Sequence, residues 1–311
     1  MFKNKDYVLA VFREGSFIRA AERLYISQPS LSATIKRIEE KISVPIFDRS
    51  TTPISLTEAG REYVKYALEI EEKEHDFEKY IEDHINLLSG KIRIGGSSLF
   101  SSYLLPKMVS DFNKKYPQIV FEISEDNTKN LIQKISDGKL DLVVDNSDIS
   151  QDNIISRILT PEILLLAVPK SFKVNDSLLG FRLTAEDIRA HKHLKKEAMV
   201  SLNAFKDEPF ILLNPENDTG KRANKLFKKH AIMPNAIFHL DQQVTAYNIS
   251  CTQMGISFVS DTLVKNIKTE QSLYFYRLSD AETERNIYFY MKNNHYISLA
   301  CREFIENCCA K

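Results

Sequence analysis

Hydrophobic residues recur along this chain with different periods, and each period predicts a different kind of element. Between residues 16 and 41 they recur every three or four positions, which predicts two short amphipathic helices. From residue 58 to residue 88 the spacing approaches a heptad, and residues 61–89 contain neither glycine nor proline. This stretch predicts one long helix, with Thr57 as its N-cap and Ser89-Gly90 as its stop. Its apolar stripe is expected to pair with a second copy, and packing on its own domain is the alternative.

Residues 91–311 predict an α/β module, because short apolar runs alternate with helical segments. The β-α-β-α-β order at its start favours an open parallel sheet with right-handed crossovers. The expected strands are 91–95, 120–124, 140–144, 163–168, 210–213, 256–259, 273–277 and 287–291. Helices are expected at 102–116, from the second strand to 136, and at 296–308.

The two short helices have clear start signals. Ser16 is placed to cap the first, which covers residues 17–24, and the pair Tyr25-Ile26 makes the turn. Ser27 is placed to cap the second, where Pro29 occupies the first turn and loses no hydrogen bond there. Leu31, Ile35 and Ile38 form the buried stripe of that second helix.

The opposite side of the second helix carries small and polar residues that can approach base edges and phosphates, namely Gln28, Ser30, Ser32, Ala33 and Lys36. A glutamine can pair with adenine through two hydrogen bonds, and a lysine or arginine suits a phosphate. On spacing alone, a DNA-binding helix-turn-helix and a helical hairpin with a solvated polar face both fit.

Composition and charge narrow the class of protein. The chain has 311 residues, which favours two or three folding units, and its formal net charge is zero. Residues 1–60 are slightly basic, and residues 61–90 are acidic. The N-terminus lacks the apolar core of a signal peptide, and no apolar run reaches the length of a membrane span, so a cytoplasmic protein without a membrane partner is expected.

The sequence offers no pattern typical of catalysis, a cofactor or a metal. Its four cysteines form no CxxC pair, and P-loop, GxGxxG, GxSxG and HExxH motifs are absent. His191 and His193 are interpreted as residues of a lysine-rich solvated helix within residues 182–208. We therefore expect no enzyme, no cofactor and no metal site.

Residues 14–60, EGSFIRAAERLYISQPSLSATIKRIEEKISVPIFDRSTTPISLTEAG, resemble the N-terminal signature of the LysR-type transcriptional regulators. The resemblance implies a winged helix-turn-helix that binds double-stranded DNA, with residues 46–56 as the wing. The implied DNA-binding residues are Ser27, Gln28, Pro29, Ser30, Ser32, Ala33, Lys36, Arg37 and Arg49. Two positions differ from the family pattern: Ser43 replaces a glycine after the recognition helix, and the wing lacks a second basic residue.

The resemblance also implies the organisation of the whole chain. Residues 1–60 are expected to be the DNA-binding domain, residues 61–90 a linker helix that dimerises, and residues 91–311 an effector-binding domain similar to periplasmic binding proteins. The latter has two α/β lobes, lobe I at about 91–164 and 268–311 and lobe II at about 165–267. The family pattern also implies a homodimer or homotetramer, in which a small molecule of unknown identity binds between the lobes and changes the bending of DNA.

Six residues are the implied effector contacts: Ser97, Ser98, Asn127, Thr128, Thr219 and Arg222. For the two serines, an ordinary strand-helix loop with capping hydroxyls is the alternative. For Arg222, the alternative is a surface charge beside Lys225, Lys228 and Lys229. Three other functions stay open as alternatives: an enzyme, a transport-type solute-binding protein, and a regulator that binds DNA without a ligand.

Overall fold

The computed structural model describes residues 1–51, 53–85, 90–195, 199–267 and 271–309. The chain forms two compact units, Met1–Ile81 and Glu82–Lys311, called here unit 1 and unit 2. Among the helices of these described ranges, none is both long enough and apolar enough to cross a lipid bilayer.

Unit 1 combines three short helices and a small two-stranded wing with a fourth, long helix. Its elements are α1 (Lys5–Glu14), α2 (Phe17–Arg23), α3 (Gln28–Ile42), β1 (Phe47–Asp48), β2 (Ser55–Leu56) and α4 (Glu58–Ile85), of which α4 continues into unit 2. Strands β1 and β2 are antiparallel. This arrangement confirms the predicted winged helix-turn-helix.

Side-chain caps fix the helix starts where the sequence predicts them. The Ser16 hydroxyl accepts a hydrogen bond from the backbone N–H of Arg19, and the Ser27 hydroxyl accepts one from Ser30. The Thr57 hydroxyl accepts one from the N–H of Gly60 at 2.9 Å. Each cap satisfies a donor that the first helical turn leaves without an intrahelical partner.

The predicted apolar stripe of α3 forms the centre of the unit 1 core, since Leu31, Ile35 and Ile38 are all buried. They pack with residues from α1, α2, the wing and the first turns of α4. The stripe therefore fixes which side of α3 faces outward.

Unit 2 contains strands and helices in alternation. Its strands are β3 (Gly90–Gly96), β4 (Ile119–Glu125), β5 (Leu142–Asp145), β6 (Ile154–Pro169), β7 (Met199–Val200), β8 (Pro209–Leu213), β9 (Asn235–Leu240), β10 (Ile256–Ser260), β11 (Leu273–Leu278) and β12 (Glu284–Lys292). Its helices are α5 (Leu105–Asn113), α6 (Thr128–Ser136), α7 (Val174–Ser177), α8 (Ala185–Arg189), α9 (Asp218–Lys229), α10 (Gln243–Cys251), α11 (Asp261–Asn266) and α12 (Leu299–Cys309). A π-helical turn, Phe100–Leu104, precedes α5.

The strands form two regions of sheet that share β6. In the first region the order is β4-β3-β5-β12-β6, and in the second it continues as β6-β10-β8-β9, with β11 on β6 and β7 on β11. Strands β3, β4 and β5 pair in parallel, as the sequence predicts, whereas β6 pairs antiparallel with β10, β11 and β12. The parallel pairing predicted from the start of the module is thus confirmed for β3, β4 and β5, and the antiparallel pairing begins at β6 and β12, where the chain crosses between the two regions.

Strand β6 explains why residues 163–168 read as one unbroken apolar run. Leu164, Leu166 and Val168 pack into the core of the second region, while Leu165 and Ala167 face a core shared with the first. A strand buried on both faces needs apolar residues at every position. The first half of β6, which is largely exposed, starts at Ile154, ahead of the predicted start.

The limits of the expected linker helix and lobes can be compared with these elements. Helix α4 ends at Ile85, and the last predicted apolar positions, Leu87 and Leu88, lie outside the described residues. The lobe limits stay a prediction, but the pairing of β11 with β6 favours a return to the first region near residues 279–283 rather than 268.

Candidate functional site

The outward side of α3 carries the residues that the sequence singles out for DNA contact. Ser27, Gln28, Pro29, Ser30, Ala33, Lys36 and Arg37 are exposed, and Ser32 is partly exposed. The Lys36 ammonium lies 3.8 Å from the Glu40 carboxylate, on a side chain that is largely in solvent. An exposed pair of this kind holds the lysine weakly and leaves it able to reach another anion.

Arg49 in the wing is held more firmly than Lys36. Its Nη2 donates to the Glu39 carboxylate at 3.0 Å, and its guanidinium lies 5.2 Å from the centre of the Phe17 ring. Glu39 also accepts from the backbone N–H of Ile46 at 2.8 Å. Glu39 therefore fixes the start of the wing relative to α3 and orients Arg49 at the same time.

Helix α4 presents two different faces along its length. Tyr63, Val64 and Ala67 are buried in the core of unit 1, so the first part of the predicted stripe packs on its own domain. Other large apolar side chains of α4 are exposed, namely Tyr66, Leu68, Phe77, Tyr80 and Ile81. The predicted heptad stripe thus combines core positions with exposed ones.

In unit 2, hydroxyl groups follow the carboxyl ends of the parallel strands β3 and β4. Ser98 donates to the Glu125 carboxylate at 2.5 Å, and Thr128 donates to the Asp145 carboxylate at 2.8 Å. Asn127 caps α6 by accepting from the N–H of Asn130. Ser97 is partly exposed, and its carbonyl accepts from the N–H of Ser101.

A buried ionic network, called here the Arg285 network, joins the two sheet regions. Arg285 at the start of β12 donates from Nε to Glu162 at 2.5 Å and from Nη1 to Asp218 at 2.8 Å and to Thr219 at 3.0 Å. Glu162 lies on β6 where the strand passes from one region to the other, and Asp218 and Thr219 begin α9.

Neutral side chains complete this network. Gln243 donates to the Thr219 hydroxyl at 3.2 Å and accepts from the N–H of Ser260 at 3.0 Å. The Ser260 hydroxyl donates to Glu162, which also accepts from Asn146. Buried charges need this many partners to offset the loss of their hydration.

Arg285 is the group that the network leaves incomplete. Its Nη2 is buried and finds no hydrogen-bond acceptor among the described residues. A buried N–H without an acceptor is costly, so Nη2 marks the place where the described residues leave this network unsatisfied.

Asp145 connects the hydroxyl groups of the first region with the Arg285 network electrostatically. Burial raises the pKa of its carboxyl group above the ordinary value, and the negative charge of Asp218 raises that pKa further. The carboxyl group still accepts hydrogen bonds from Thr128 and from the N–H of Ser147. The predicted residues Thr128 and Thr219 therefore lie in two neighbouring polar clusters.

Arg222 fits neither of its two expected roles fully. Its Nε donates to Asp218 at 2.7 Å, and its Nη1 donates to the carbonyl of Glu282 at 2.9 Å. It is partly buried, unlike the exposed Lys225 and Lys228 of the same helix. Arg222 thus orients Asp218, which in turn binds Arg285.

The interpretation of His193 as a solvated residue is wrong, whereas His191 is exposed as expected. His193 is fully buried, and its Nε2 lies 3.0 Å from the carboxylate of Asp261. Asp261 also accepts from the N–H of Ile163 on β6 and from Lys265. His193 was misjudged because only the tertiary fold brings residues 68 positions apart together.

Sequence reasoning also missed Asp145, Glu162, Ser260 and Arg285. One available signal was a glutamate at 162 directly before the longest apolar run, since a charge inside a buried strand needs a partner. Nothing in the sequence identified Arg285 as that partner, 123 residues away.

Two family models match the chain. Residues 3–61 match "Bacterial regulatory helix-turn-helix protein, lysR family", and residues 86–310 match "LysR substrate binding domain". The first match ends at residue 61, in the first turn of α4, and the second begins at residue 86, just ahead of β3.

Among similar proteins, an uncharacterised HTH-type transcriptional regulator, YcgK of Bacillus subtilis, is 26% identical over 305 residues, covering 98% of this chain and 92% of YcgK. A probable RuBisCO transcriptional regulator of Cyanophora paradoxa is 27% identical, covering 96% of this chain and 87% of its own. These relatives are described as regulators of transcription and not as enzymes.

Solved structures show the same fold over the whole chain. A full-length OxyR from Pseudomonas aeruginosa, solved as a variant with one cysteine replaced, aligns with a TM-score of 0.69 at 19% identity, covering 99% of this chain and 97% of that one. CbnR complexed with its target DNA aligns with a TM-score of 0.63 at 16% identity, covering 100% and 99%.

Proposed function

The chain belongs to the LysR family of transcriptional regulators, with a DNA-binding and a substrate-binding domain, and from this we propose how each domain works. Helix α3 docks in the major groove of duplex DNA, and the region around the Arg285 network binds a small-molecule effector that modulates this docking. The observation that carries the proposal is the exposed polar face of α3 above a fully buried apolar stripe.

The DNA proposal assigns separate tasks to the residues of α3. Gln28 is exposed in the first turn, where a recognition helix meets base edges, and its amide can pair with adenine. Ser27, Pro29, Ser30, Ser32 and Ala33 are small enough to allow close approach. Lys36, Arg37 and Arg49 contact phosphates, with Arg49 oriented by Glu39.

Lys36→Ala tests the docking of α3 by its salt dependence. Losing one phosphate contact weakens binding to all duplex sequences and lowers the slope of log affinity against log salt by about 1. Fluorescence anisotropy with a labelled promoter fragment at several salt concentrations measures this slope. Lys114→Ala in unit 2 is the matched control, because it removes the same charge from an exposed side chain. Equal slopes for wild type and Lys36→Ala would contradict the docking of α3.

Dimerisation through α4 is the second part of the proposal. Phe77 is 62% exposed and lies on the same helix as the exposed Tyr66 and Ile81, and exposed aromatic side chains of this size favour a protein partner. A second copy pairs two recognition helices with a pseudo-palindromic site.

The exposed edges of unit 2 support further association into a tetramer. Edge strand β4 exposes Val120 and Ile123, and edge strand β9 exposes Ile237 and Phe238. Unpaired edges with apolar side chains are typical of surfaces that meet another chain. A tetramer could hold two DNA sites at once and bend the DNA between them.

Sedimentation velocity of Phe77→Glu tests the α4 contact. Met254→Glu, at an exposed site outside α4, is the control. We expect Phe77→Glu to shift the protein toward the monomer and to weaken DNA binding, while Met254→Glu leaves both unchanged. An unaltered assembly in Phe77→Glu would exclude this part of α4 from the interface.

The effector proposal rests on the unsatisfied Nη2 of Arg285 and on the hydroxyl groups nearby. We infer that the effector supplies an oxygen acceptor to Arg285 and meets Ser97, Ser98, Asn127 and Thr128 on one side and Thr219 on the other. Arg222 acts at a distance by holding Asp218. A molecule that contacts both clusters changes how the two sheet regions sit against each other and so modulates DNA bending.

Thermal unfolding across a panel of small oxygen-rich metabolites tests whether an effector binds to unit 2. A bound compound at about one hundred times its dissociation constant adds about 2.7 kcal/mol to stability. Thr128→Val should reduce the shift, and Thr252→Val, at an exposed threonine directly after α10, should not. If no compound stabilises the protein while promoter binding persists, the chain is a regulator that needs no ligand.

A further inference from the structure

The turn between α2 and α3 holds a residue in an unfavourable backbone conformation. Helix α2 ends in a Schellman motif, in which the N–H of Ile26 donates to the carbonyl of Ala21 at 3.0 Å and the N–H of Tyr25 donates to Glu22 at 3.1 Å. This motif requires the left-handed region at Tyr25, whose φ is +54°. Glycine or asparagine usually occupies such a position.

A tyrosine at this position destabilises the fold unless its side chain makes compensating contacts. A bulky L-residue in the left-handed region costs energy because its Cβ approaches the backbone oxygen. The Tyr25 side chain is 96% exposed, and no contact with another described side chain offsets that cost. An uncompensated outlier with so bulky a side chain motivates a hypothesis of function.

The position of Tyr25 indicates what that function is. Tyr25 comes two residues before Ser27, which caps α3, and three before Gln28. The chain entering a recognition helix has to pass the sugar-phosphate backbone that borders the major groove. A tyrosine hydroxyl is a good hydrogen-bond donor to a phosphate oxygen.

We propose that Tyr25 is a further DNA-positioning residue, whose hydroxyl donates to a backbone phosphate beside the groove that α3 enters. This inference rests on the proposed docking of α3. The contact carries no charge, so it differs from the contact of Lys36 in a measurable way. It strengthens binding to every sequence alike and leaves the salt slope unchanged.

Tyr25→Phe, which removes only the hydroxyl, is the direct test. Because a hydrogen bond to a charged acceptor is worth more than a neutral one, we expect an affinity about tenfold lower for specific and non-specific duplexes. The slope against salt should stay that of the wild type. Binding is measured by fluorescence anisotropy on the full-length protein.

Tyr25→Asn separates function from stability. Asparagine tolerates the left-handed region, so this variant should melt a few degrees higher while binding DNA as weakly as Tyr25→Phe. Ser43→Gly is the matched control, since Ser43 also has a positive φ, of +61°, and is exposed at the other end of α3. It should gain stability and keep its affinity for DNA.

Wild-type affinity for DNA in both Tyr25 variants would overturn the proposal, whether or not transcription changes. Altered transcription at unchanged DNA affinity would assign Tyr25 to a contact with a protein partner instead. The Lys36→Ala experiment keeps the two failures apart. If Lys36→Ala weakens binding and Tyr25→Phe does not, α3 docks as proposed and only the role of Tyr25 is wrong.

Discussion

The two candidate sites of this protein are built in opposite ways. The face of α3 comes from one contiguous segment, its side chains are exposed, and its geometry follows from a helix cap and an apolar stripe. The Arg285 network draws on β6, α9, α10 and β12; Glu162 and Arg285 are buried, and Asp218 is partly buried. The first site can change residues without altering the fold, whereas the second is part of what holds unit 2 together.

This contrast predicts different consequences of substitution. At the exposed site, a substitution should abolish function and leave stability unchanged, because surface side chains away from special features contribute little to folding. At the buried site, stability and function should be lost together, since removing one ion leaves its partners buried and unpaired.

The largest effect is expected from Arg285→Ala. It leaves the buried Glu162 carboxylate without its guanidinium partner, while Asp218 keeps its ion pair with Arg222, and we expect a loss of about 3–5 kcal/mol in the free energy of unfolding of unit 2. Urea unfolding measures this loss of stability. Arg157→Ala, on the exposed half of β6, should change stability by less than about 0.5 kcal/mol. Similar values for the two variants would show that the network is not structural.

Gly60→Ala should damage unit 1 selectively. A Cβ at Gly60 would lie 1.9 Å from the carbonyl oxygen of Ile46, so α4 and the start of the wing have to move apart. We expect a loss of about 1–3 kcal/mol in unit 1 and unchanged unfolding of unit 2. Hydrogen exchange resolved by segment distinguishes the two units. Equal protection in the variant and the wild type would mean that the wing adapts without cost.

Gln28→Ala should separate recognition from folding. Losing the two hydrogen bonds that we propose Gln28 makes to adenine should reduce the discrimination between specific and non-specific duplexes by about 1–3 kcal/mol. The melting temperature should stay that of the wild type, because the side chain is exposed. Competition binding with scrambled duplexes measures the ratio of specific to non-specific affinity. If the variant retained its preference, sequence would be read elsewhere on α3.

The smallest effect concerns Asp145 and pH. Its pKa is higher in the folded than in the unfolded protein because of burial. The stability it contributes is therefore fully present below the unfolded pKa and is lost as pH rises through the folded pKa. Asp145→Asn lacks this titration, so its melting temperature relative to the wild type should be higher at pH 8 than at pH 5. A difference that is constant with pH would contradict the raised pKa.

Local signals in the sequence were sufficient for most of unit 1. Caps at Ser16, Ser27 and Thr57 and the stripe of α3 depend on neighbours within one or two turns, and each appears where predicted. The face of α3 followed because burial of the stripe leaves only one side exposed.

Unit 2 was predictable in its parts and less so in its assembly. Eight of the ten strands described in unit 2 were located from apolar runs, whereas β7 and β9 were missed. The antiparallel pairing of β6 with β12 depends on residues more than one hundred positions apart. The same distance separates Glu162 from Arg285, and His193 was misjudged for a similar reason. Periodicity reports whether a position is buried, not which distant charge it meets.

Strand β6 also has a mechanical consequence. Because one strand of 16 residues belongs to both sheet regions, any rotation of one region against the other has to twist its backbone near residues 163–164. Glu162 stands beside that pivot and Asp261 holds the N–H of Ile163. Torsion at this point would therefore be transmitted directly to two ionised groups, without passing through a flexible loop.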